Sequence, residues 1–564
     1  MTYLERYDFW CKADLSEDVK AELAAVAGND EELKGRFGSD LQFGTAGMRG
    51  VMGAGSNRLN RYTVRRAAQG MAAWLKSTDL PQKAAIGYDS RHNSRLFAEV
   101  CAVAFAEAGI EAYLFDRLAP TPMLSYAVRE LNCGCGIVIS ASHNSGEYNG
   151  VKCYGPDGCQ MTDEPAAIVT AKIAQIPYFI PETKTVEEFV RLGYIRYIDE
   201  QLWENYYNVV LAEAVAPEKI AQAGLKVVYT PLCGTGNEPV RKVLGRLGVD
   251  IAVVSCQEKP DGDFKTCEYP NPETDAALNE SYKVAGAVPC DVILGTDPDC
   301  DRVAIAVPFE GGYKKLSGNE LGCLLMDYIL KARTLRNDIP DGAIVVRSIV
   351  SSPLADRVAE HYGVQMKAVL TGFKYIGGEI LTLEQVGEEK KYIFGFEESC
   401  GYLKGTYARD KDAVVASMLV CEMAASLKLE GKTILDALAE LYAKFGYYLA
   451  HVQSVELTGA DAMEKDANMM SDLRGAAPAM IGGVAVSEVR DYTAGVAKNL
   501  VTGAEQKILL PKSNVLEFVL GEKGSVIVRP SGTEPKVKFY YTAVGTDRED
   551  AAALLKKMQA QMAV

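Results

Sequence analysis

The sequence predicts an α/β protein with three similar α/β domains, each built on a mixed sheet, followed by a smaller C-terminal α+β domain. Three observations support this prediction. A strand-helix-strand pattern occurs three times, the tail changes to strand-like runs with one closing helix, and the chain has 564 residues. That length is typical of about three to five domains.

Each of the three units has an apolar run, a helical stretch and a second apolar run. This order implies that the two strands pair in parallel through a right-handed crossover. In chain order, the strand, helix and strand of the units are predicted at 83–88, 95–108 and 111–115, at 225–229, 238–247 and 250–254, and at 343–348, 354–362 and 365–370.

The spacing of the units places domain boundaries near residues 205, 325 and 450. We therefore expect domains at 1–204, 205–325, 326–450 and 451–564. In the last domain, strand-like runs at 525–528 and 537–542 flank a polar loop, and 549–561 reads as a closing helix. The first ~40 residues are expected to be helical around 15–27 and contain no recognisable chemistry.

The amino-acid composition indicates which partners, cell compartment and metal the protein should not have. Lys and Arg number 60 against 75 Asp and Glu, a net charge of −15, which argues against a nucleic-acid partner. We find no stretch of ~18 apolar residues and no signal-peptide pattern, so no membrane association is expected. The fourteen cysteines include no CxxC pair and are interpreted as free thiols of a cytoplasmic protein. The presence of only four histidines argues against a zinc site.

A serine on a small-residue turn is the first candidate for chemistry. The apolar run 136–139 leads into Ser140-Ala141-Ser142-His143-Asn144-Ser145-Gly146, and Lys152 follows ten residues after Ser142. A serine presented where a strand ends is well placed to act as a nucleophile or to carry a transferable group. The alternative is a Ser/Asn turn that merely ends the strand.

Three aspartates between two predicted strands form the second candidate site. Asp297, Asp299 and Asp301 occupy alternate positions of what we expect to be an extended loop, so their side chains should point to one side. Carboxylate oxygens suit Mg²⁺ or Ca²⁺. An EF-hand is excluded because Arg302 and Pro308 stand where its Gly and Glu should be. The alternative is an acidic, solvated turn.

A phosphate-binding loop is predicted between the two strands near the C-terminus. Arg529 offers a planar fork, Ser531 and Thr533 offer hydroxyls, and Gly532 lets backbone N–H groups turn inward; Lys538 follows. An ordinary hairpin with Pro and Gly is the alternative.

Two further segments are candidates for sugar contacts. Thr371-Gly372-Phe373-Lys374-Tyr375-Ile376-Gly377 presents a lysine in a Gly-flanked loop. Gly395-Phe396-Glu397-Glu398-Ser399-Cys400-Gly401 places Glu397 and Ser399 on one side of an extended stretch, where both can hydrogen-bond sugar hydroxyls. Taken alone, each segment also fits a solvated loop.

These four motifs, in this order, resemble the α-D-phosphohexomutases, and closely the phosphoglucomutase/phosphomannomutase family. The resemblance extends to Phe43-Gly44-Thr45-Ala46-Gly47-Met48-Arg49-Gly50 and runs from about residue 40 to the C-terminus. It implies one central cleft where the four domains meet. It also implies an isomerase that interconverts hexose 1-phosphate and hexose 6-phosphate, with glucose as the expected hexose, through a phosphoserine and a sugar bisphosphate.

The resemblance also implies roles for individual residues. Ser142 would carry the phosphoryl group, and one Mg²⁺ would be held by Asp297, Asp299 and Asp301 together with a phosphate oxygen on Ser142. Arg49, His143 and Lys152 would line the reacting phosphate, and Lys374 is a candidate general acid/base, although Lys152 and His143 stay open for that role. The substrate contacts implied are Thr371, Gly372, Arg302, Glu397, Ser399, Arg529, Ser531, Gly532, Thr533 and Lys538.

Several alternatives remain at this point. A phosphopentomutase shares the mechanism, and a non-catalytic phosphosugar-binding regulator would share the fold. A serine hydrolase is disfavoured because no G-x-S-x-G elbow surrounds Ser142. Gly234-Thr235-Gly236 is discounted as a dinucleotide fingerprint because Pro239 takes the place of the third glycine. The preferred sugar and the choice between monomer and homodimer are open; a sugar 1,6-bisphosphate is the expected activator.

Overall fold

The structure, a computed structural model, describes residues 1–44, 47–456, 462–530 and 536–562. It contains three mixed sheets that follow one another along the chain and a fourth, antiparallel sheet near the C-terminus. The three strand-helix-strand units are confirmed, and in each of them the two strands pair in parallel. The domain boundaries near 205, 325 and 450 stay predictions.

Three short helices precede the first sheet: α1 (Tyr3–Cys11), α2 (Glu17–Ala25) and α3 (Asp30–Phe37). They bury a core of their own that includes Trp10 and Phe37. They also hold the turn at residues 52–57: the Ala54 N–H donates to Glu22 Oε2 at 2.9 Å, and Arg36 donates to the Ala54 carbonyl at 3.1 Å.

The first sheet has six strands in the order β1-β5-β4-β2-β3-β6. Its elements are β1 (Gly47–Val51), α4 (Arg61–Leu75), β2 (Lys83–Tyr88), α5 (Ser94–Glu107), β3 (Glu111–Leu114), α6 (Thr121–Glu130), β4 (Cys135–Ile139), β5 (Tyr148–Tyr154), α7 (Asp163–Ala174), α8 (Val186–Arg191), β6 (Ile195–Tyr197) and α9 (Glu200–Ala212). Strand β4 is buried along its whole length, as a run of apolar residues in a covered sheet should be.

The second sheet has five strands in the order β11-β10-β9-β7-β8. Its elements are α10 (Glu218–Ala223), β7 (Lys226–Thr230), α11 (Asn237–Arg246), β8 (Asp250–Val253), α12 (Asp275–Ala287), β9 (Val292–Thr296), β10 (Val303–Phe309) and β11 (Gly312–Lys315).

The third sheet has four strands in the order β13-β12-β14-β15. Its elements are α13 (Gly318–Leu335), β12 (Ile344–Ser348), α14 (Leu354–His361), β13 (Gln365–Val369), α15 (Phe373–Glu384), β14 (Tyr392–Glu397), β15 (Gly401–Lys404), α16 (Ala413–Leu429) and α17 (Ile434–Phe445). Helix α16 is apolar on all sides and buried from Ala413 to Ser426, because it packs against α10 and α11 as well as against its own sheet.

The fourth sheet has seven strands in the order β16-β24-β23-β22-β19-β20-β21, and β17 and β18 form a separate two-stranded sheet. The elements are β16 (Tyr447–Glu456), α18 (Ala462–Gly475), β17 (Met480–Ile481), β18 (Val484–Ala485), β19 (Glu488–Asp491), β20 (Val496–Asn499), β21 (Glu505–Lys507), β22 (Leu516–Val519), β23 (Gly524–Pro530), β24 (Lys536–Gly545) and α19 (Arg548–Met562). The predicted closing helix is therefore confirmed.

The hydrophobic cores show how these parts are joined. One continuous core includes residues of the first three sheets, whereas the fourth sheet and its helices enclose a separate core. The next strand to join each unit, β4, β9 or β14, pairs in parallel with the first strand of that unit, β2, β7 or β12. Because the motifs of Ser142, Asp297 and Glu397 follow or end these added strands, the repeated topology brings each motif to the carboxyl edge of its sheet.

Candidate active site

The turn after β4 presents Ser142 in a conformation that few residues adopt. Ser142 has a φ of +52°, is buried, and its N–H donates to Ser140 Oγ at 2.8 Å. Its own hydroxyl lies 2.9 Å from Asp297 Oδ2 and 3.2 Å from His143 Nδ1. The predicted strand-end turn is confirmed, and the serine points at the acidic segment 155 positions further along the chain.

The three aspartates converge on one another after β9. One carboxylate oxygen from each of Asp297, Asp299 and Asp301 lies within 4.8 Å of the others. The expectation of an extended loop was wrong: the segment is a tight turn, in which the N–H groups of Asp301 and Arg302 both donate to Asp297 Oδ1 at 3.0 Å. The turn, rather than strand alternation, points the side chains at one place.

The residues of this acidic turn fit a hard cation. Asp299 Oδ1 and Asp301 Oδ1 are buried, yet they accept no hydrogen bond from any residue that the structure describes. Burial, together with the neighbouring carboxylates of Asp299 and Asp301, raises the pKa of Asp297 well above its usual range. Three converging carboxylates with unused oxygens are a donor set typical of Mg²⁺.

Two buried lysines offset part of this negative charge. Lys152 on β5 lies 2.5 Å from Asp299 Oδ2 and 3.3 Å from Asp301 Oδ2. Lys411 lies 3.2 Å from Asp301 Oδ2 and 3.0 Å from Asp410 Oδ1. Burial by itself would lower the pKa of Lys411, but these two carboxylates raise it above its usual range, so this lysine stays charged.

Lys411 was not predicted as a site residue from the sequence. A signal was present: Arg409-Asp410-Lys411-Asp412 is a run of alternating charges directly before the apolar helix α16, and such a run is buried only when it has partners. Thr121, at the start of α6, was missed as well; its hydroxyl donates to Asp299 Oδ2 at 2.9 Å.

His143 and Arg49 approach the serine from two sides. Arg49 lies on β1 and donates to Asn144 Oδ1 in the serine turn at 3.1 Å. Burial lowers the pKa of His143 far below its usual range, and the positive charges of Arg302 and Arg49 lower it further. The imidazole beside Ser142 is therefore neutral near pH 7. One of its nitrogens donates a hydrogen bond and the other can accept one.

The two predicted sugar segments meet each other. Glu397 is the buried last residue of β14, and its Oε1 accepts the N–H of Gly372 at 2.7 Å. The φ of Gly372 is +122°, a conformation that favours glycine, and Thr371 precedes it. Burial raises the pKa of Glu397, although nearby Lys411 acts in the opposite direction.

Two details of these segments differ from the prediction. Lys374 lies in the first turn of helix α15, not in a loop, and it forms an ion pair with Asp163 at 2.9 Å. Ser399 lies in the turn after β14 rather than on an extended stretch beside Glu397. Helix α15 begins at Phe373, and Gly372 is its N-cap residue.

The predicted phosphate loop is described only in part, because residues 531–535, and with them Ser531, Gly532 and Thr533, lie outside the described residues. Arg529 on β23 and Lys538 on β24 are direct cross-strand partners. Burial lowers the pKa of Lys538; nearby Arg529 lowers it further, whereas Glu398 opposes the shift. Burial and neighbouring Glu397 raise the pKa of Glu398 to about 7. Leu370, next to Thr371, shares a hydrophobic core with Ile527 and Tyr540, so the fourth sheet packs beside the first sugar segment.

Arg302 lies beside the acidic turn. Its guanidinium donates to Glu273 and lies 3.8 Å from Asp301 Oδ1. The structure thus brings Ser142, the three aspartates, Lys152 and His143 into one cluster, and it brings Glu397 and Gly372 into another.

Comparison with known proteins covers most of the chain. Family models described as phosphoglucomutase/phosphomannomutase match in four consecutive parts: alpha/beta/alpha domain I at residues 40–178, domain II at 204–310, domain III at 317–445 and the C-terminal domain at 484–560.

Curated relatives and solved structures agree with these matches. A phosphoglucomutase of Staphylococcus epidermidis is 36% identical over 529 residues, 93% of this chain and 94% of the relative. A phosphoglucomutase of Staphylococcus aureus is 35% identical over 537 residues, 94% of each chain.

Among structures, a phosphoglucomutase/phosphomannomutase family protein of Burkholderia thailandensis has a TM-score of 0.65 at 17% identity, covering 93% of this chain and 97% of that one. Parafusin of Paramecium, in an open form, has a TM-score of 0.69 at 16% identity, covering 93% and 94%.

Proposed function

We propose that this chain interconverts glucose 1-phosphate and glucose 6-phosphate through a phosphoserine at Ser142. The proposal starts from the family: the chain belongs to the phosphoglucomutase/phosphomannomutase family and is a phosphohexose mutase. One observation carries the assignment of the serine: its hydroxyl lies 2.9 Å from a carboxylate of the acidic turn. The glucose preference is supported by the relatives that are 35–36% identical, which are phosphoglucomutases.

The proposed reaction is a two-step relay. The phosphoryl group on Ser142 Oγ passes to the free hydroxyl of the bound hexose phosphate, which makes a hexose 1,6-bisphosphate and leaves a serine hydroxyl. The bisphosphate then presents its other phosphate, and Ser142 takes that group back. Each step breaks one P–O bond and forms another, and one proton moves between the hydroxyls and a nearby base.

The charges of the cleft match this chemistry. A phosphomonoester carries roughly −1.5 to −2 charges near neutral pH, so a bisphosphate carries about twice that. Asp297, Asp299 and Asp301 would hold Mg²⁺, which supplies charge stabilisation at the transferring phosphoryl group when bound. Lys152 and Arg49 add positive charge at this end, and Arg529 and Lys538 at the other.

Sugar recognition is proposed for the segments between the two ends. Glu397 and Ser399 would bind sugar hydroxyls, with Thr371 and Gly372 completing that wall. Arg529, Lys538 and the segment with Ser531, Gly532 and Thr533 would bind the phosphate that is not reacting, and Arg302 is a further proposed substrate contact.

The proton has several possible carriers. His143 is neutral and adjacent to Ser142, so it can accept the proton of the serine hydroxyl. Lys152 and Lys411 are charged and buried beside the acidic turn, so each can donate a proton to a leaving oxygen. Lys374 stays a candidate, although its ion pair with Asp163 must open first.

We further propose one Mg²⁺ per chain, a sugar 1,6-bisphosphate as activator and a cytoplasmic location. The fourteen cysteines are free thiols, which supports a reducing compartment. Within the described part of the chain, none of the helices has the length and apolar character needed to cross a membrane. We propose a small-molecule phosphosugar as partner, no nucleic acid or membrane, and a monomer or homodimer.

A substrate panel tests the proposed sugar. Purified protein with Mg²⁺ and a catalytic trace of the matching bisphosphate should convert glucose 1-phosphate with the highest kcat/KM among the 1-phosphates of glucose, mannose, glucosamine and ribose. A higher kcat/KM for ribose 1-phosphate would favour a phosphopentomutase. Binding without any turnover would favour a regulator.

Replacing Arg529 should weaken both directions of the reaction equally. The proposed cradle holds the non-reacting phosphate in either orientation of the sugar, so Arg529→Ala should lower kcat/KM for the 1-phosphate and the 6-phosphate alike. A lost charge-assisted contact costs roughly 1.5–3 kcal/mol, about ten- to a hundredfold. Arg529→Lys should recover only part, since an ammonium cannot reproduce the planar fork. Steady-state kinetics in both directions measure this.

The matched control is Arg548→Ala, an exposed arginine at the start of α19 in the same part of the chain. It should keep the kcat/KM of the unmodified protein in both directions. If Arg529→Ala also kept both values, the loop would be a structural hairpin and the cradle would have to be placed elsewhere.

A further inference from the structure

A buried arginine outside the residues assigned above is bonded to the backbone of the serine turn. Arg91 follows β2 and is 3% exposed. One terminal nitrogen of its guanidinium donates to the carbonyls of Ser145 at 2.7 Å and Tyr148 at 3.0 Å. The other donates to the carbonyl of Ser142 at 2.7 Å and to that of Asn144. One side chain therefore binds four carbonyls of the segment 142–148.

The serine turn needs such an external partner. Segment 140–147 links β4 to β5, and Ser142 holds a left-handed φ of +52°, which is unfavourable for a residue with a Cβ. A turn that points several carbonyls inward cannot bond them to one another, because carbonyls only accept hydrogen bonds. A guanidinium, with five donors in a rigid plane, can bind several carbonyls at once.

Arg91 is itself held from two directions. Within the first domain, its Nε lies 3.3 Å from Asp89 Oδ2, and Asp89 Oδ1 accepts the Arg91 N–H at 2.9 Å and the Ser94 hydroxyl at 2.7 Å. From the second domain, the ring of Phe264 lies against the guanidinium, with its centroid 4.9 Å from Cζ. Such stacking suits a planar cation.

The segment that carries Phe264 is seated directly against the serine turn. A Cβ added to Gly146 would lie 2.6 Å from the carbonyl oxygen of Gly262, so the two backbones meet without room for a side chain. Next to this contact, Asp263 Oδ1 lies 2.5 Å from His92 Nε2. The second domain, which bears the acidic turn, thus also packs against the loop that bears the serine.

We propose that Arg91 is a positioning residue for phosphoryl transfer: it fixes the backbone of residues 142–148 so that Ser142 Oγ stays directed at the acidic turn, and Phe264 holds Arg91 in that place. The proposal rests on the proposed role of Ser142 as phosphoryl carrier. Arg91 touches no reacting atom in this scheme. It acts through the serine turn, whereas the Arg529 cradle binds the other end of the substrate.

The test compares Arg91→Lys and Phe264→Leu with a control, Arg95→Lys. Arg95 is an exposed arginine of α5, four residues after Arg91 in the sequence, and it forms an ion pair with Glu99. For each variant we would measure kcat and KM for glucose 1-phosphate, the rate at which glucose 1,6-bisphosphate phosphorylates Ser142 by intact mass, and amide hydrogen exchange over the whole chain.

A misplaced serine should slow transfer without weakening substrate binding. For Arg91→Lys we expect kcat to fall about ten- to a hundredfold, the loss typical of a displacement near 1 Å, with KM changed less than about threefold. The phosphorylation rate should fall by the same factor as kcat, and exchange should rise in 142–148. Phe264→Leu keeps the arginine and should show the same pattern more weakly, about three- to tenfold. Arg95→Lys should match the unmodified protein.

The possible failures are distinguishable. If unmodified protein is never phosphorylated on Ser142, the proposed function fails before Arg91 is tested. If it is phosphorylated but Arg91→Lys keeps normal kcat and normal exchange in 142–148, the positioning role is overturned. The positioning role is also overturned if, in both Arg91→Lys and Phe264→Leu, amide exchange rises throughout the chain and KM rises as well. Such a result would indicate a general loss of structure.

Discussion

Ser142→Ala is expected to remove nearly all mutase turnover while leaving the fold intact. The hydroxyl is the proposed acceptor and donor of the phosphoryl group, and alanine offers no oxygen to take its place. Removing a covalent nucleophile typically costs at least about 10³-fold in kcat. Alanine fits the buried site, and the lost contacts are the hydroxyl's hydrogen bonds to Asp297 and His143. Coupled assay of glucose 6-phosphate formation measures the loss.

Intact-mass measurement gives a second, independent readout. After incubation with glucose 1,6-bisphosphate, the unmodified protein should gain one phosphate and Ser142→Ala none. The control is Ser145→Ala in the same turn, which keeps the carbonyl that Arg91 binds and removes only a hydroxyl 3.4 Å from Glu147. Phosphate on another residue, or normal activity in the Ser142 variant, would count decisively against the proposed carrier.

Asp299→Asn should cut turnover by about 10²-fold or more, because changing an outer partner of a metal ligand already costs about 10- to 100-fold and Asp299 is a proposed direct ligand. The neutral amide supplies less charge to the proposed Mg²⁺, and it also weakens the ion pair with Lys152. The variant should need more Mg²⁺ than the unmodified protein for half of its own maximal rate. Titration of activity with Mg²⁺ after treatment with a chelator measures both effects.

The control for this prediction is Asp250→Asn, an exposed residue of β8 in the same sheet. It should keep the activity and Mg²⁺ dependence of the unmodified protein. Chelation should silence the unmodified protein, and added Mg²⁺ should restore it. Activity that survives exhaustive chelation would mean that the acidic turn works without a metal, and the proposed cofactor would be wrong.

The repeated units could be predicted because their signals are local. Apolar runs such as 83–88 and 343–348 are long enough to mark a strand, and the helix between two such runs requires a parallel crossover. The acidic turn was also recognisable from composition, although its geometry was not. Three carboxylates at alternate positions fit an extended loop and a tight turn equally well, and only the hydrogen bonds to Asp297 distinguish the two.

The missed residues share a physical reason. Lys411 reaches Asp301, and Arg91 reaches Ser142, only after helices and strands from different parts of the chain have packed together. The alternating charges around Lys411 indicate that it has partners, but nothing in the residues adjacent to either side chain identifies the distant partner. Lys374 is a different case: its motif made it a candidate general acid/base, but the motif did not reveal the ion pair with Asp163 at the start of α7.

The three helices at the N-terminus have a practical consequence for anyone who shortens this chain. The family model begins at residue 40, so similarity alone would suggest that α1, α2 and α3 can be removed. Their core, however, also contains Ala54 and packs against Tyr62, Tyr178 and Phe179. Without the helices, these side chains would form an exposed hydrophobic patch that favours aggregation. A stable fragment must therefore begin before residue 40. Its start is decided by the packing of these helices and not by the start of the family match.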